Sequence, residues 1–183
     1  LCGNRVVDLL WHLPSGIIDR TSSPKLCMAR ENTICTIKVK VIEHIAPKTK
    51  KQPYRVICSD GTGDLVLSFF KVYPDSIQKN LPVGEVRVVS GKVERFQGLL
   101  QMSHPDYIVK PEDITSVLGI EPLYPLTAGI TNKMLNKIMK QALSVVPQLT
   151  EWLDEPYLKA NKWPSFNQAL KLAHQPKSLA DLE

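Results

Sequence analysis

The side chains able to do chemistry fall into a few groups, each tested by the spacing its chemistry needs. Gly84 and Gly91-Lys92 come nearest to a phosphate loop, but they leave six residues between the glycines where that loop has four. Val93 stands where a Ser or Thr would coordinate magnesium, and the segment alternates like a strand. Ser103, His104 and Asp106 have the residue types of a hydrolytic triad. Neighbours on a strand point to opposite faces, so they read as a strand-end turn instead. Four cysteines, at positions 2, 27, 35 and 58, form no closely spaced pair, and His44 is the only imidazole nearby. They read as free thiols in a reducing cytosol rather than as a zinc site. The expectation is a chain with no catalytic residue, metal or cofactor of its own.

What remains is suited to binding. Between residues 38 and 55, Lys38, Lys40, Lys48, Lys50, Lys51 and Arg55 face a single acid, Glu43. Single-stranded or forked nucleic acid is held by basic grooves with aromatic rings on which bases stack. Arg95 and Phe96 supply a cation and a ring from a second segment. Phe69-Phe70, Lys71 and Tyr73 form the densest aromatic group. On a strand, Leu65, Leu67 and Phe69 share one face and Val66, Ser68 and Phe70 the other. The wholly apolar set belongs in the core. Phe70 then points outward beside Lys71 as a stacking platform, or else packs under the helix that follows. The lysine loop is likewise either a phosphate contact or a solvated surface. A net charge of +5 and a pI near 9.0 suit a polyanionic partner without requiring one.

The elements that must position these residues follow from periodicity. Val6, Leu9, Leu10 and Leu13 mark a short amphipathic helix stopped by Pro14 and Gly16. From Thr33 the period becomes two: Cys35, Ile37, Val39 and Val41 alternate with Ile34, Thr36, Lys38, Lys40 and Ile42. Pro47 to Pro53 is a basic loop. Tyr54–Ser59 is a second strand, Asp60-Gly-Thr-Gly63 a turn, and Asp64–Phe70 a third strand. Pro74 to Leu81 reads as one or two helical turns. Glu85–Arg95 is a long fourth strand in which Gly91 suggests a bulge or bend, and Leu99–Val109 is a fifth, broken near His104-Pro105. Five strands with a helix between the third and fourth is the order of an OB-fold barrel, whose loops between strands one and two and strands four and five border the binding face. A split sandwich is the alternative.

The rest of the chain is helical. Ile130, Met134, Leu135, Ile138, Met139, Ala142 and Leu143 form an apolar stripe ended by Pro147, with Lys133, Lys137 and Lys140 off it. Ser165 can N-cap a last helix, Phe166–His174. The expected organisation is a helical leader over 1–32, an OB-fold domain over 33–110 and a helical connector over 111–183. No stretch approaches the roughly 18 apolar residues of a membrane span, and the first residues lack the order of a signal peptide. Leu1-Cys2-Gly3 opens without Met, and Ser178–Glu183 reads as a helix start cut after about one turn, so the chain reads as a fragment.

Several segments, in order along nearly the whole chain, resemble the wedge region of RecG, the bacterial replication-fork-reversing DNA helicase. They are Val7-Asp-Leu-Leu-Trp-His-Leu-Pro14 with Asp19-Arg20; Leu67-Ser-Phe-Phe70; Val89-Ser-Gly-Lys-Val93; Gln101-Met-Ser-His-Pro-Asp-Tyr107; Leu123-Tyr-Pro-Leu-Thr-Ala-Gly-Ile130; and Pro164-Ser-Phe-Asn-Gln-Ala-Leu170 with His174 and Pro176. The resemblance implies a module that binds branched DNA, at forks and Holliday junctions, and splits strands while an attached ATPase motor pulls duplex. It implies that Phe70 stacks on the base pair at the fork, with Tyr73 as a second ring. It places ATP and Mg on the motor rather than on this chain, and the protein in the bacterial cytoplasm at the nucleoid. Nothing in the sequence demands a dimer. Two rivals stay open: a general single-strand or RNA-binding OB module, such as a synthetase anticodon domain, and a protein-interaction scaffold with a solubilising lysine loop.

Overall fold

Local chemistry ends most elements where the sequence signals change. The computed structural model describes residues 3–49 and 51–177. Cys2, Lys50 and the helix start expected at Ser178 lie outside the described residues. In chain order come α1 (Val6–Leu10), β1 (Gly16–Asp19), β2 (Ile34–Ile45), β3 (Tyr54–Ser59), β4 (Asp64–Phe69) and α2 (Pro74–Asn80). Then follow β5 (Val86–Lys92), β6 (Glu94–Phe96), β7 (Leu99–Ser103), β8 (Tyr107–Val109), β9 (Ile120–Leu123), α3 (Asn132–Ser144), α4 (Glu155–Asn161) and α5 (Phe166–His174). The chain divides into two units. One is residues 19–119; the other joins the segment up to Ile18 to the segment from Ile120 onward.

The first unit is built on one mixed sheet of seven strands, in the order β6-β7-β4-β3-β2-β5-β8. This corrects the expected five-stranded OB-fold barrel: no closed barrel forms among the described residues, and the sheet is not split into a sandwich. The physical reason lies in the two long strands read from alternation. Val93 separates β5 from β6, and His104-Pro105-Asp106 separates β7 from β8. Each half then finds its own neighbour. β7 lies parallel to β4 (Ser68 opposite Ser103), and β8 lies antiparallel to β5 at the far edge. Alternation reports which face a side chain takes, not which strand it will meet.

One face of that sheet holds the core. Cys35, Ile37, Val39 and Val41 of β2 meet Tyr54, Val56 and Cys58 of β3, with Leu65, Leu67 and Phe69 of β4 beyond, all buried. Burial alone pushes the Cys58 thiol up to about 12. The β2 register slips between Val41 and Glu43, so the bulge falls there and not at Gly91. Gly91 keeps regular register opposite Cys35. It is needed because a Cβ there would meet the Pro105 Cα at 3.2 Å, a close backbone approach. Asp60, in the Asp-Gly turn, accepts from the Leu26 N–H at 2.8 Å and the Thr62 N–H at 2.8 Å. Burial opposes ionisation of this carboxyl, but those donors prevail and hold it below the usual carboxylate range.

The second unit packs Leu10 of α1, Tyr124, Leu135, Met139, Ala142 and Leu143 of α3 and Leu170 of α5 into a separate core. α3 starts where the Thr131 hydroxyl accepts from the Met134 N–H at 3.2 Å. α5 starts at a full capping box between Ser165 and Gln168. α4 was not expected from the sequence; Pro156 near its start and Lys162 in the left-handed region at its end bound it. The β1–β9 pair, also unanticipated, is a two-stranded sheet of short segments that alternation is too brief to reveal.

Candidate nucleic-acid interface

The sheet register decides which of the expected binding residues share a surface. Lys40 lies opposite Ser59, Arg55 opposite Ser68, Ser68 opposite Ser103, Val66 opposite Gln101, and Phe96 opposite Leu99. Side chains directly opposite point the same way, so one face carries Lys38 and Lys40, then Arg55, then Ser68 and Ser103, then Phe96. Lys38, Lys40 and Phe96 are exposed and Arg55 is half-buried. Lys48 and Lys51 are exposed on the loop between β2 and β3, where the Gln52 side chain accepts from the Lys48 N–H at 3.0 Å.

Arg95 takes the other face of β6. Its guanidinium pairs with Glu31 and donates to the Gly98 carbonyl at 3.0 Å, so it braces the hairpin. Phe96 sits beside the Gln97-Gly98 turn, both of whose residues have positive φ, as a two-residue hairpin loop requires.

At the end of β4 the two phenylalanines separate as alternation expects. Phe69 is 5% exposed in the core, while Phe70 is 46% exposed. Phe70 does not pack under α2. Its N–H donates to Nε2 of His104 at 2.9 Å, and its ring stacks on that imidazole at 5.9 Å between centroids, 30° apart. Lys71 follows at φ +53°, exposed. Tyr73 takes the N-cap position of α2 and is 85% exposed. α2 is held down by Ile77 and by a polar chain: Gln78 donates to the Tyr54 hydroxyl at 3.2 Å, which meets His44 Nδ1 at 3.0 Å, and His44 Nε2 donates to the Leu81 carbonyl at 2.7 Å.

Sequence reasoning missed the partner of Phe70. His104 is 34 positions away, and only the parallel β4–β7 pairing brings it close. The usable signal was that His104 and Pro105 end a strand. Asp106, two residues on, pairs with buried Arg20 at 3.0 Å, and Arg20 lies over the Tyr107 ring at 5.0 Å. Among the described residues no group of three or more His, Cys, Asp or Glu is placed to hold a metal ion, and no helix is long and apolar enough to cross a membrane.

The chain is similar to known proteins. The family model described as the RecG wedge domain matches residues 2–146. The ATP-dependent DNA helicase RecG of Pasteurella multocida (strain Pm70) is 29% identical over 181 residues, covering 96% of this chain and 26% of that protein. That of Haemophilus influenzae is 30% identical with the same coverage, and that of Escherichia coli (strain K12) 28% identical over 184 residues, covering 97% and 26%. The chain thus spans about a quarter of the length of these relatives. Among solved structures, RecG bound to a three-way DNA junction superposes with a TM-score of 0.81 at 26% identity, over 98% of this chain and 25% of that one. With the family model matched over most of its length, this chain belongs to the RecG wedge domain family.

Proposed function

We propose that this chain is the junction-binding wedge of a RecG-type ATP-dependent DNA helicase. In this reading it binds branched DNA, at stalled forks and Holliday junctions, and parts the strands for recombination and repair. The observation that carries it is the likeness, over 98% of the chain, to RecG bound to a three-way DNA junction. Motor domains elsewhere in the parent protein bind ATP and Mg and pull the duplex, and the wedge acts as a monomer in the bacterial cytoplasm at the nucleoid. Its own part is passive. Lys38, Lys40, Lys48, Lys50, Lys51, Lys71 and Arg55 neutralise phosphates, releasing counterions. Phe70 caps the base pair exposed at the branch, Tyr73 and Phe96 offer further rings, and Arg95 holds the hairpin that carries Phe96.

The test is to titrate the chain against a three-way junction, a linear duplex and a single strand of matched length, at low and moderate salt. The junction should bind tightest. Phe70→Ala should cut the preference for junction over duplex by roughly five-fold or more, the weight of one lost base–aromatic stack. Single strands bound as tightly as the junction would replace this reading with a general single-strand module. Absence of binding at any salt would replace it with a protein-interaction scaffold, and an unchanged preference in Phe70→Ala would remove that ring from the role.

A further inference from the structure

Phe70 leaves β4 with little on its own strand to aim it. Its ring is half exposed, the next residue has left-handed backbone, and Tyr73 beyond it is open to solvent. A ring free to change rotamer would lose that freedom on stacking against a base, which weakens binding. The structure restrains it from a different strand. The imidazole of His104 accepts the Phe70 N–H at 2.9 Å, stacks on the Phe70 ring, and stands edge-on to buried Phe69 at 6.0 Å and 83°. The backbone N–H of His104 donates to the Ser68 carbonyl at 2.9 Å, which holds the residue against the end of β4. A single side chain thus ties the exposed ring to the core ring beneath it. Both adjoining strand ends, at Lys71 (φ +53°) and His104 (φ +49°), hold non-glycine residues in left-handed backbone. Strain of this kind persists where surrounding structure fixes a group for use.

We infer that His104 is a positioning residue for strand separation: it fixes the backbone and one side of Phe70, so that the exposed part of the ring meets the branch-point base pair already oriented. This rests on the reading of Phe70 as the capping ring. The imidazole must be neutral at Nε2 to accept, with its proton on Nδ1.

The experiment compares the full chain with its Phe70→Ala, His104→Asn and His104→Gln variants. Asn tolerates left-handed backbone but is too short to place an acceptor at the Nε2 position. Gln can place its Oε1 there without a ring. Three quantities are read: the junction-over-duplex affinity ratio, the emission of 2-aminopurine at the branch pair, and hydrogen exchange of the Phe70 amide. His104→Asn should expose the Phe70 amide to exchange, lower the ratio roughly five-fold, as expected for one net hydrogen bond, and diminish the 2-aminopurine response. Duplex affinity should not change. His104→Gln should recover amide protection and part of the ratio. In either variant, amide protection lost with the ratio intact overturns the inference while leaving Phe70 its role. A ratio unchanged in Phe70→Ala removes both. Should His104→Asn not fold, His104→Gln decides on its own: amide protection lost with the ratio intact overturns the inference.

Discussion

His174 gives the sharpest test of how the helical unit holds together. It lies on α5, 2% exposed. Its Nε2 meets the Leu10 carbonyl at 2.8 Å and its Nδ1 meets the Tyr124 hydroxyl at 3.0 Å, while the ring stacks on Tyr124 at 5.8 Å. A carbonyl can only accept, so Nε2 carries the proton and Nδ1 accepts from Tyr124. That arrangement needs a neutral ring. Burial lowers the His174 pKa most; the Leu10 carbonyl raises it, the charge of His12 lowers it, and the net is below the ordinary 6.5. The sign follows. Below about pH 6.5 the unfolded chain takes up a proton that the folded chain resists, so this stabilising contribution is complete above that pH and lost as pH falls, at a slope approaching about 1.4 kcal/mol per unit.

His174→Phe keeps a ring over Tyr124 but leaves the Leu10 carbonyl and the Tyr124 hydroxyl without their partner. At about 1–3 kcal/mol for each of the two stranded groups, the variant should be about 2–6 kcal/mol less stable near neutral pH. It carries no titrating group at that site, so at about pH 5.5 the gap should narrow by up to about 1.4 kcal/mol. Urea unfolding followed by tryptophan emission isolates the effect, because Trp11, Trp152 and Trp163 all belong to the helical unit. Trp11 lies by Phe166 and Trp163 by Tyr157, so their surroundings change on unfolding. His44 and His104 belong to the other unit and lie outside this transition. A gap that stays constant or widens between pH 7.5 and about 5.5 would refute the reasoning.

Further outcomes follow from the same geometry. Gly91→Ala forces a Cβ to within 3.2 Å of the Pro105 Cα; a backbone contact cannot rotate away, so the sheet unit should lose about 1–3 kcal/mol in urea melts followed by tyrosine emission. Because Pro105 follows His104, the same variant should also weaken junction preference. Thr131→Ala removes the hydroxyl that accepts from the Met134 N–H and should cost the helical unit about 1 kcal/mol, read by tryptophan emission. The pair Lys38→Gln and Lys40→Gln should weaken junction and duplex binding equally and reduce the slope of log affinity against log salt by about 2, one unit per lost phosphate contact. A change in the junction-over-duplex ratio would instead mean that these lysines read the branch.

Much of the architecture was legible because its causes are local. Period-two alternation identified the apolar face of β2, the Asp60-Gly61 turn marked the β3–β4 hairpin, Pro74 and Pro82 bounded α2, and Ser165 announced α5. Alternation along β4 set Phe69 and Phe70 on opposite faces but left open whether Phe70 met solvent or packed under α2; the fold leaves it 46% exposed. What the sequence could not decide was partnership. The sheet has seven strands instead of five because two long alternating runs break at Val93 and at His104–Asp106, and alternation carries no information on which neighbour each half will join. The parallel β4–β7 pairing, the approach of Pro105 to Gly91, and the bond from His174 to Leu10, 164 positions away, exist only once the chain is folded. His104 shows the difference most clearly. By its neighbours it is a residue in a strand-end turn; the tertiary structure makes it the support of Phe70, because the free energy of that contact comes from a strand 34 residues away.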